Sequence, residues 1–76
     1  MQVNDIFRHY KGNEYRIVGM SYCAEGDHLV PRVEYIDDKK GMRFSRSISN
    51  FLEIVDSPEH NYKGPRFVFV RKGGRT

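Results

Sequence analysis

Ile6-Phe7-Arg8-His9-Tyr10-Lys11-Gly12-Asn13-Glu14-Tyr15-Arg16-Ile17-Val18-Gly19-Met20 reads as a β-hairpin. Two runs rich in aromatic and β-branched residues flank a short polar turn. Gly12 and Asn13 in that turn are the residue types that best tolerate positive φ. Gly19 interrupts the second run and predicts a bend or bulge. The hairpin also gathers rings and cations: Phe7, Arg8, His9, Tyr10, Lys11, Tyr15 and Arg16 lie within ten positions.

The hairpin's strand-turn pattern continues along the chain. Leu29 to Ile36 alternates, with Leu29, Val33 and Tyr35 on one face. Pro31 cannot donate to a ladder and places that strand at an edge, or its amide side outward. Asp37-Asp38-Lys39-Lys40-Gly41 is a turn, followed by a strand over Met42 to Arg46 with Met42 and Phe44 inward. Ser47-Ile48-Ser49-Asn50 predicts a single 3₁₀ turn, since Ser and Asn side chains satisfy local amides. Phe51 to Val55 is a fifth strand, Asp56 to Gly64 a loop, and Pro65 to Val70 a sixth strand with Phe67 and Phe69 on one face. No stretch sustains a 3.6-residue period. Short strands with frequent turn signals predict an all-β fold, a small antiparallel barrel of five to six strands.

The totals agree with one domain over residues 1–70 and a flexible basic tail over 71–76. At 76 residues, folding buries about 60% of the unfolded surface. The usual per-residue range gives a stability of about 4–11 kcal/mol. Five Tyr and five Phe supply large rings for a thin core. The single cysteine, Cys23, excludes an internal disulfide, and the opening residues lack a basic-then-apolar leader, so a reducing cytoplasm is the expected setting. No apolar run is long enough to span a bilayer, so no membrane partner is expected.

Enzyme chemistry finds no foothold in the pattern. Cys23 has no base at a recognisable spacing, and His9, His28 and His60 are scattered without metal-ligand spacing. No glycine-rich loop opens a helix to cradle phosphate. The reading is therefore no enzyme, no cofactor and no metal.

The residues resemble the bacterial and phage family called domain of unknown function 1653 (DUF1653). Phe7-Arg8-His9-Tyr10-Lys11-Gly12, Tyr15 and Ile17-Val18-Gly19 are similar to its opening. Leu29-Val30, Arg32 and Tyr35 continue the likeness. Phe44-Ser45-Arg46 stands where the family usually has Trp-Val-Arg-Pro. Phe51 with Glu53 and the closing Pro65-Arg66-Phe67 complete it. The turn at Tyr22-Cys23-Ala24-Glu25 and the longer loop before Pro65 depart from the family pattern. The resemblance implies an SH3-like barrel and no assigned activity. Ser49-Asn50-Phe51-Leu52-Glu53 also looks like the turn before the last strand of signalling SH3 domains, a likeness of geometry only.

Three kinds of partner fit these residues. A protein contacting the aromatic and basic face of the first hairpin leads. The net charge of +3 also allows nucleic acid, through Arg8, Lys11, Arg16, Arg43, Arg46, Arg66, Arg71, Lys72 and Arg75, with Tyr10 or Tyr22 as stacking faces. Interspersed acids dilute that patch. The third is a pocket for a small anionic ligand such as a nucleotide, lined by Arg46 or Arg66 and tyrosines. Arg66 and Arg46 can equally pair with an acid such as Glu53 or Glu34. His9 is either an anchor in a cleft or a partly buried ring bonded to backbone. The candidate binding residues are Arg8, Tyr10, Lys11, Arg46 and Arg66, on a monomer or weak homo-oligomer.

Overall fold

The computed structural model describes residues 1–73. Seven strands form: β1 (Asp5–His9), β2 (Glu14–Glu25), β3 (His28–Asp37), β4 (Met42–Ser47), β5 (Ile54–Ser57), β6 (Tyr62–Pro65) and β7 (Phe67–Lys72). A one-turn helix α1 (Ile48–Phe51) follows β4, and a 3₁₀ turn, Pro58–His60, joins β5 to β6. All pairing is antiparallel. One sheet has the order β4-β3-β2-β1-β7, and β5 and β6 form a separate two-stranded sheet. Among the described residues no helix is long and apolar enough to cross a membrane.

The all-β expectation holds, with differences in detail. The described residues form seven strands where five or six were expected, and no ladder among them closes the sheets into a cylinder. The helical turn expected at Ser47–Asn50 is one residue later and α-helical. Ser47 caps it, its Oγ accepting the Asn50 N–H at 3.2 Å. The 3₁₀ turn falls instead within the expected loop, where Pro58 supplies the preset φ for a first helical position. Arg71 and Lys72, expected in a flexible tail, are strand residues paired with Ile6 and Asp5. The rest of that expected tail, residues 74–76, lies outside the described residues.

The first hairpin closes as expected. Gly12 takes φ +113°, and His9 and Asn13 bond across the turn, His9 N–H donating to Asn13 O at 2.8 Å. A side chain at Gly12 meets no neighbour but would have to adopt a conformation that L-residues avoid. Gly12→Ala is therefore expected to cost about 1 kcal/mol or more, read as a lower urea midpoint with unchanged slope.

The bulge forecast at Gly19 is also present. Ile17 pairs with Tyr35 and Gly19 with Glu34, leaving Val18 as the extra residue. The bulge changes which residues face inward: Ile17 shares the face of Tyr35, and Met20 then shares that of Val33. Beyond it, the β2–β3 tip extends past the end of β4, which reaches only as far as Arg32. Tyr22 (71% exposed) and Leu29 (68%) stand on this tip. The projection helps explain a radius of gyration of 13.2 Å, against about 11 Å for a compact chain of this length.

The core is a cluster of Phe7, Ile17, Val33, Tyr35, Phe51 and Phe67. Phe51 from α1 stacks on Phe67 at 4.0 Å and meets Phe7 and Tyr35 edge-on at 5.3 and 5.6 Å. Phe44 packs at the core margin against Tyr15 and Tyr35. Met42, expected inward, is half exposed because it pairs with Asp37 at the sheet's end. Asp37 is buried there, its Oδ1 accepting the N–H groups of Lys39 and Lys40 across the turn.

Candidate functional site

Strand alternation separates the candidate residues. Phe7 and His9 lie on the core side of β1, so Arg8 lies on the other. There Arg8 sits 3.8 Å from Glu14, the residue opposite it on β2. Arg66 is drawn inward instead. Its Nη2 donates to Glu53 Oε1 at 2.6 Å and its Nε to the Asn50 carbonyl at 3.2 Å, tying β7's entry to the end of α1. Arg66 thus takes the internal acid partner that the sequence offered. Arg8 and Arg66 do not join Arg46 in one binding surface.

Lys11 and Arg46 do come together. They line one concavity of about 240 Å³ with His9, Asn13, Tyr15, Tyr35, Phe44 and Phe67. Five elements or their connections contribute: β1, the β1–β2 turn with the start of β2, β3, β4 and β7. The rings form the walls. Tyr15 meets Tyr35 edge-on at 5.2 Å, and Tyr35 stacks on Phe44 at 5.6 Å. The Arg46 guanidinium lies 5.6 Å from the centre of the Phe67 ring. Its Nε donates to the Tyr35 hydroxyl at 2.7 Å and its Nη1 to Asn50 Oδ1 at 2.6 Å. Both acceptors are neutral, and three of the five guanidinium N–H groups remain uncommitted.

Six other basic side chains differ, whereas Arg32, Lys39, Lys40 and Lys63, among the described residues, also have no carboxylate within 4 Å but lie outside this pocket. Among the described residues, Arg8, Arg16, Arg43, Arg66, Arg71 and Lys72 each lie within 4 Å of a carboxylate. Arg16 and Asp38 make a two-pronged pair at 2.9 and 2.8 Å, which holds the Asp38 carboxyl below its usual range and the Arg16 guanidinium above its own. Arg16 and Asp38 border a second concavity of about 190 Å³, where charges of both signs meet. Of the eight described basic residues singled out for a partner, Lys11 and Arg46 alone lack such a carboxylate, and both line the ring-walled pocket.

His9 reports the resulting field. Burial, then the positive charges of Arg46, Lys11, Arg66 and His60, hold its imidazole down at about 4. An unfolded His takes its proton near 6.5. Between those values the unfolded chain binds more protons, so acid favours unfolding. Stability is therefore expected to fall as pH drops from about 6.5 towards 4. Urea unfolding of wild type and His9→Gln across that window checks this, because the variant should lose that part of the slope.

Tyr10 adjoins the pocket without lining it. It stacks on His9 at 4.5 Å and Tyr62 at 5.4 Å and meets His60 edge-on at 5.5 Å, bridging the two sheets. Lys11 Nζ lies 5.9 Å from the Tyr10 ring centre. The pocket rings Tyr15, Tyr35, Phe44 and Phe67 were legible as strand residues only. Their convergence depends on strand order, which no local spacing encodes.

The family comparison covers the ring-walled pocket. Residues 5–69 match the family described as Protein of unknown function (DUF1653). The chain belongs to the DUF1653 family. The matched span holds every residue of the ring-walled pocket of this DUF1653 protein and both strands of the small sheet. No curated protein and no solved structure matches the chain.

Proposed function

We propose that this DUF1653 chain is a non-enzymatic binding module on an SH3-like half-open barrel. Its ring-walled pocket takes the carboxylate or phosphate group of a small anionic ligand. The barrel reading is supported by strand order: β7 lies beside β1, and β1 to β4 follow as a meander. A single helical turn precedes the closing segment, as in the SH3 likeness, with the β5–β6 hairpin inserted after it. The observation that carries the ligand reading is the meeting of two carboxylate-free cations in one ring-walled concavity. Lys11 and Arg46 face a partly buried, ring-lined space without a carboxylate partner. An ammonium ligand would meet two like charges there, whereas an oxyanion meets the guanidinium fork.

The volume narrows the ligand. About 240 Å³ lies below the roughly 300–1,000 Å³ of pockets that enclose drug-sized molecules. The pocket holds one ring- or acid-bearing end of a ligand, so a nucleotide would leave part of itself outside. Differential scanning fluorimetry with benzoate, inorganic phosphate, a nucleoside monophosphate and choline tests the reading. An anion should raise Tm in proportion to the logarithm of its concentration, and choline should not. No shift with any of the three anions at millimolar concentration overturns it.

A second reading, a protein partner, draws support from β4. That strand is an edge of the larger sheet and carries Phe44 and Arg46 beside the pocket. An extended peptide can add to such an edge through its backbone. Amide shifts along Met42–Ser47 in NMR titrations with a captured partner would favour it over a free small ligand. Nucleic acid would be favoured by binding that weakens steeply with salt.

A further inference from the structure

His9 also lines the pocket, and its geometry assigns it a part. We infer that His9 is a ligand-binding residue acting as an uncharged donor: it offers Nε2–H to the same oxyanion that Arg46 and Lys11 attract. This rests on the pocket reading above.

The tautomer follows from one hydrogen bond. The backbone N–H of Lys11 donates to His9 Nδ1 at 3.1 Å. A backbone N–H can only donate, so Nδ1 carries a lone pair and the ring proton sits on Nε2. The ring is also held in place, stacked on Tyr10 at 4.5 Å and edge-on to Phe67 at 5.0 Å. Among the described residues Nε2 has no hydrogen-bond partner, and no fully buried side-chain polar atom is left unsatisfied. The Nε2–H group is therefore uncommitted and not sealed from solvent, on a residue that lines the pocket of Lys11 and Arg46.

The surroundings keep it uncharged. The groups that set the field at His9 are Arg46 on β4, Lys11 in the first turn, Arg66 at the entry to β7 and His60 in the 3₁₀ turn. None of these is an acid. A second proton on Nδ1 would also displace the Lys11 N–H. His9 thus stays neutral through the physiological range and adds a directed donor without further charge. This arrangement fits fully ionised acceptors, carboxylate or phosphate, and disfavours their amide or ester counterparts, which bring less charge to the donors. It also makes recognition insensitive to pH above about 5.5, since the ring titrates lower.

The experiment uses the whole chain with ¹⁵N-labelled histidine and long-range ¹H–¹⁵N spectra. His9 should show the Nε2–H tautomer at pH 7. Benzoate or inorganic phosphate should shift its Nε2 resonance, benzamide should not, and benzoate affinity should stay within about twofold from pH 5.5 to 8. His9→Gln, whose amide can replace the Nε2 donor, should retain binding within about threefold. His9→Phe should lose about tenfold. An Nδ1–H tautomer, or binding by His9→Phe equal to wild type, overturns this inference while leaving the anion pocket standing. Absence of binding by wild type overturns both. If His9→Phe does not fold, the tautomer and the Nε2 shift in wild type decide the matter.

Discussion

Replacing Phe51 by alanine is expected to remove most of the protein's stability. Phe51 has no exposed surface and is the one core residue supplied by α1. It stacks face-to-face on Phe67 and meets the edges of Phe7 and Tyr35, joining α1 to β1, β3 and β7. Truncating a buried Phe to Ala costs about 3–5 kcal/mol. A 76-residue domain has about 4–11 kcal/mol in total. Thermal unfolding by circular dichroism should show Tm lowered by more than about 12 °C, or no cooperative transition at all. Phe69→Ala is the control. Phe69 contacts Phe7 but is half exposed, so its loss should cost less than half as much. Equal costs for the two would show that α1 is not the element that closes the core.

The second large effect is on binding. Arg46→Met should weaken the anion that wild type binds by about thirtyfold or more, the equivalent of about 2 kcal/mol for a hydrogen-bonded charge. Arg46→Lys should fall between, because it keeps the charge and loses the fork. Arg8→Met should leave affinity within about twofold, since Arg8 lies across the sheet beside Glu14. Isothermal titration with benzoate or phosphate separates these outcomes. Arg46→Met also strips Tyr35 and Asn50 of a donor, so a Tm loss of several degrees accompanies it. If Arg8→Met weakens binding as strongly as Arg46→Met, the ligand lies on the outer hairpin face and not in the pocket.

Local signals in the sequence carried well where structure is local. Gly12 marked a positive-φ turn, Gly19 a bulge, and the alternation of Val33 with Tyr35 and of Phe67 with Phe69 placed those pairs on single faces. β6 escaped notice because the stretch up to Gly64 read as a loop and Pro65 as the start of the following strand. A two-stranded sheet tolerates Gly64 and Pro65, since Pro65 needs no central ladder position. Arg71 and Lys72 read as tail, yet pairing with β1 and the contact of Lys72 Nζ with Asp5 at 3.4 Å hold them in a strand. The site was half legible. Lys11 and Arg46 were among the candidates, but so were Arg8 and Arg66. Which cations keep their charge unanswered depends on where Glu14 and Glu53 fall, and that is a matter of register and of the packing of α1. Tyr15, Tyr35, Phe44 and Phe67 become one wall only after all five strands of the larger sheet are in place.

The pairing of β1 with β7 has a kinetic consequence. Asp5 meets Lys72, so this ladder closes a loop of nearly the whole chain, and Phe7 and Phe67 cannot complete the core until it forms. The β2–β3–β4 meander needs only neighbouring segments and can assemble on its own schedule. Contacts of such long sequence separation slow folding, towards the millisecond-to-second regime of barrel-like β domains. Until the last strand docks, one edge of β1 stands open with its aromatic face uncovered. That half-built sheet, rather than the finished one, is the state most exposed to pairing with a neighbouring chain.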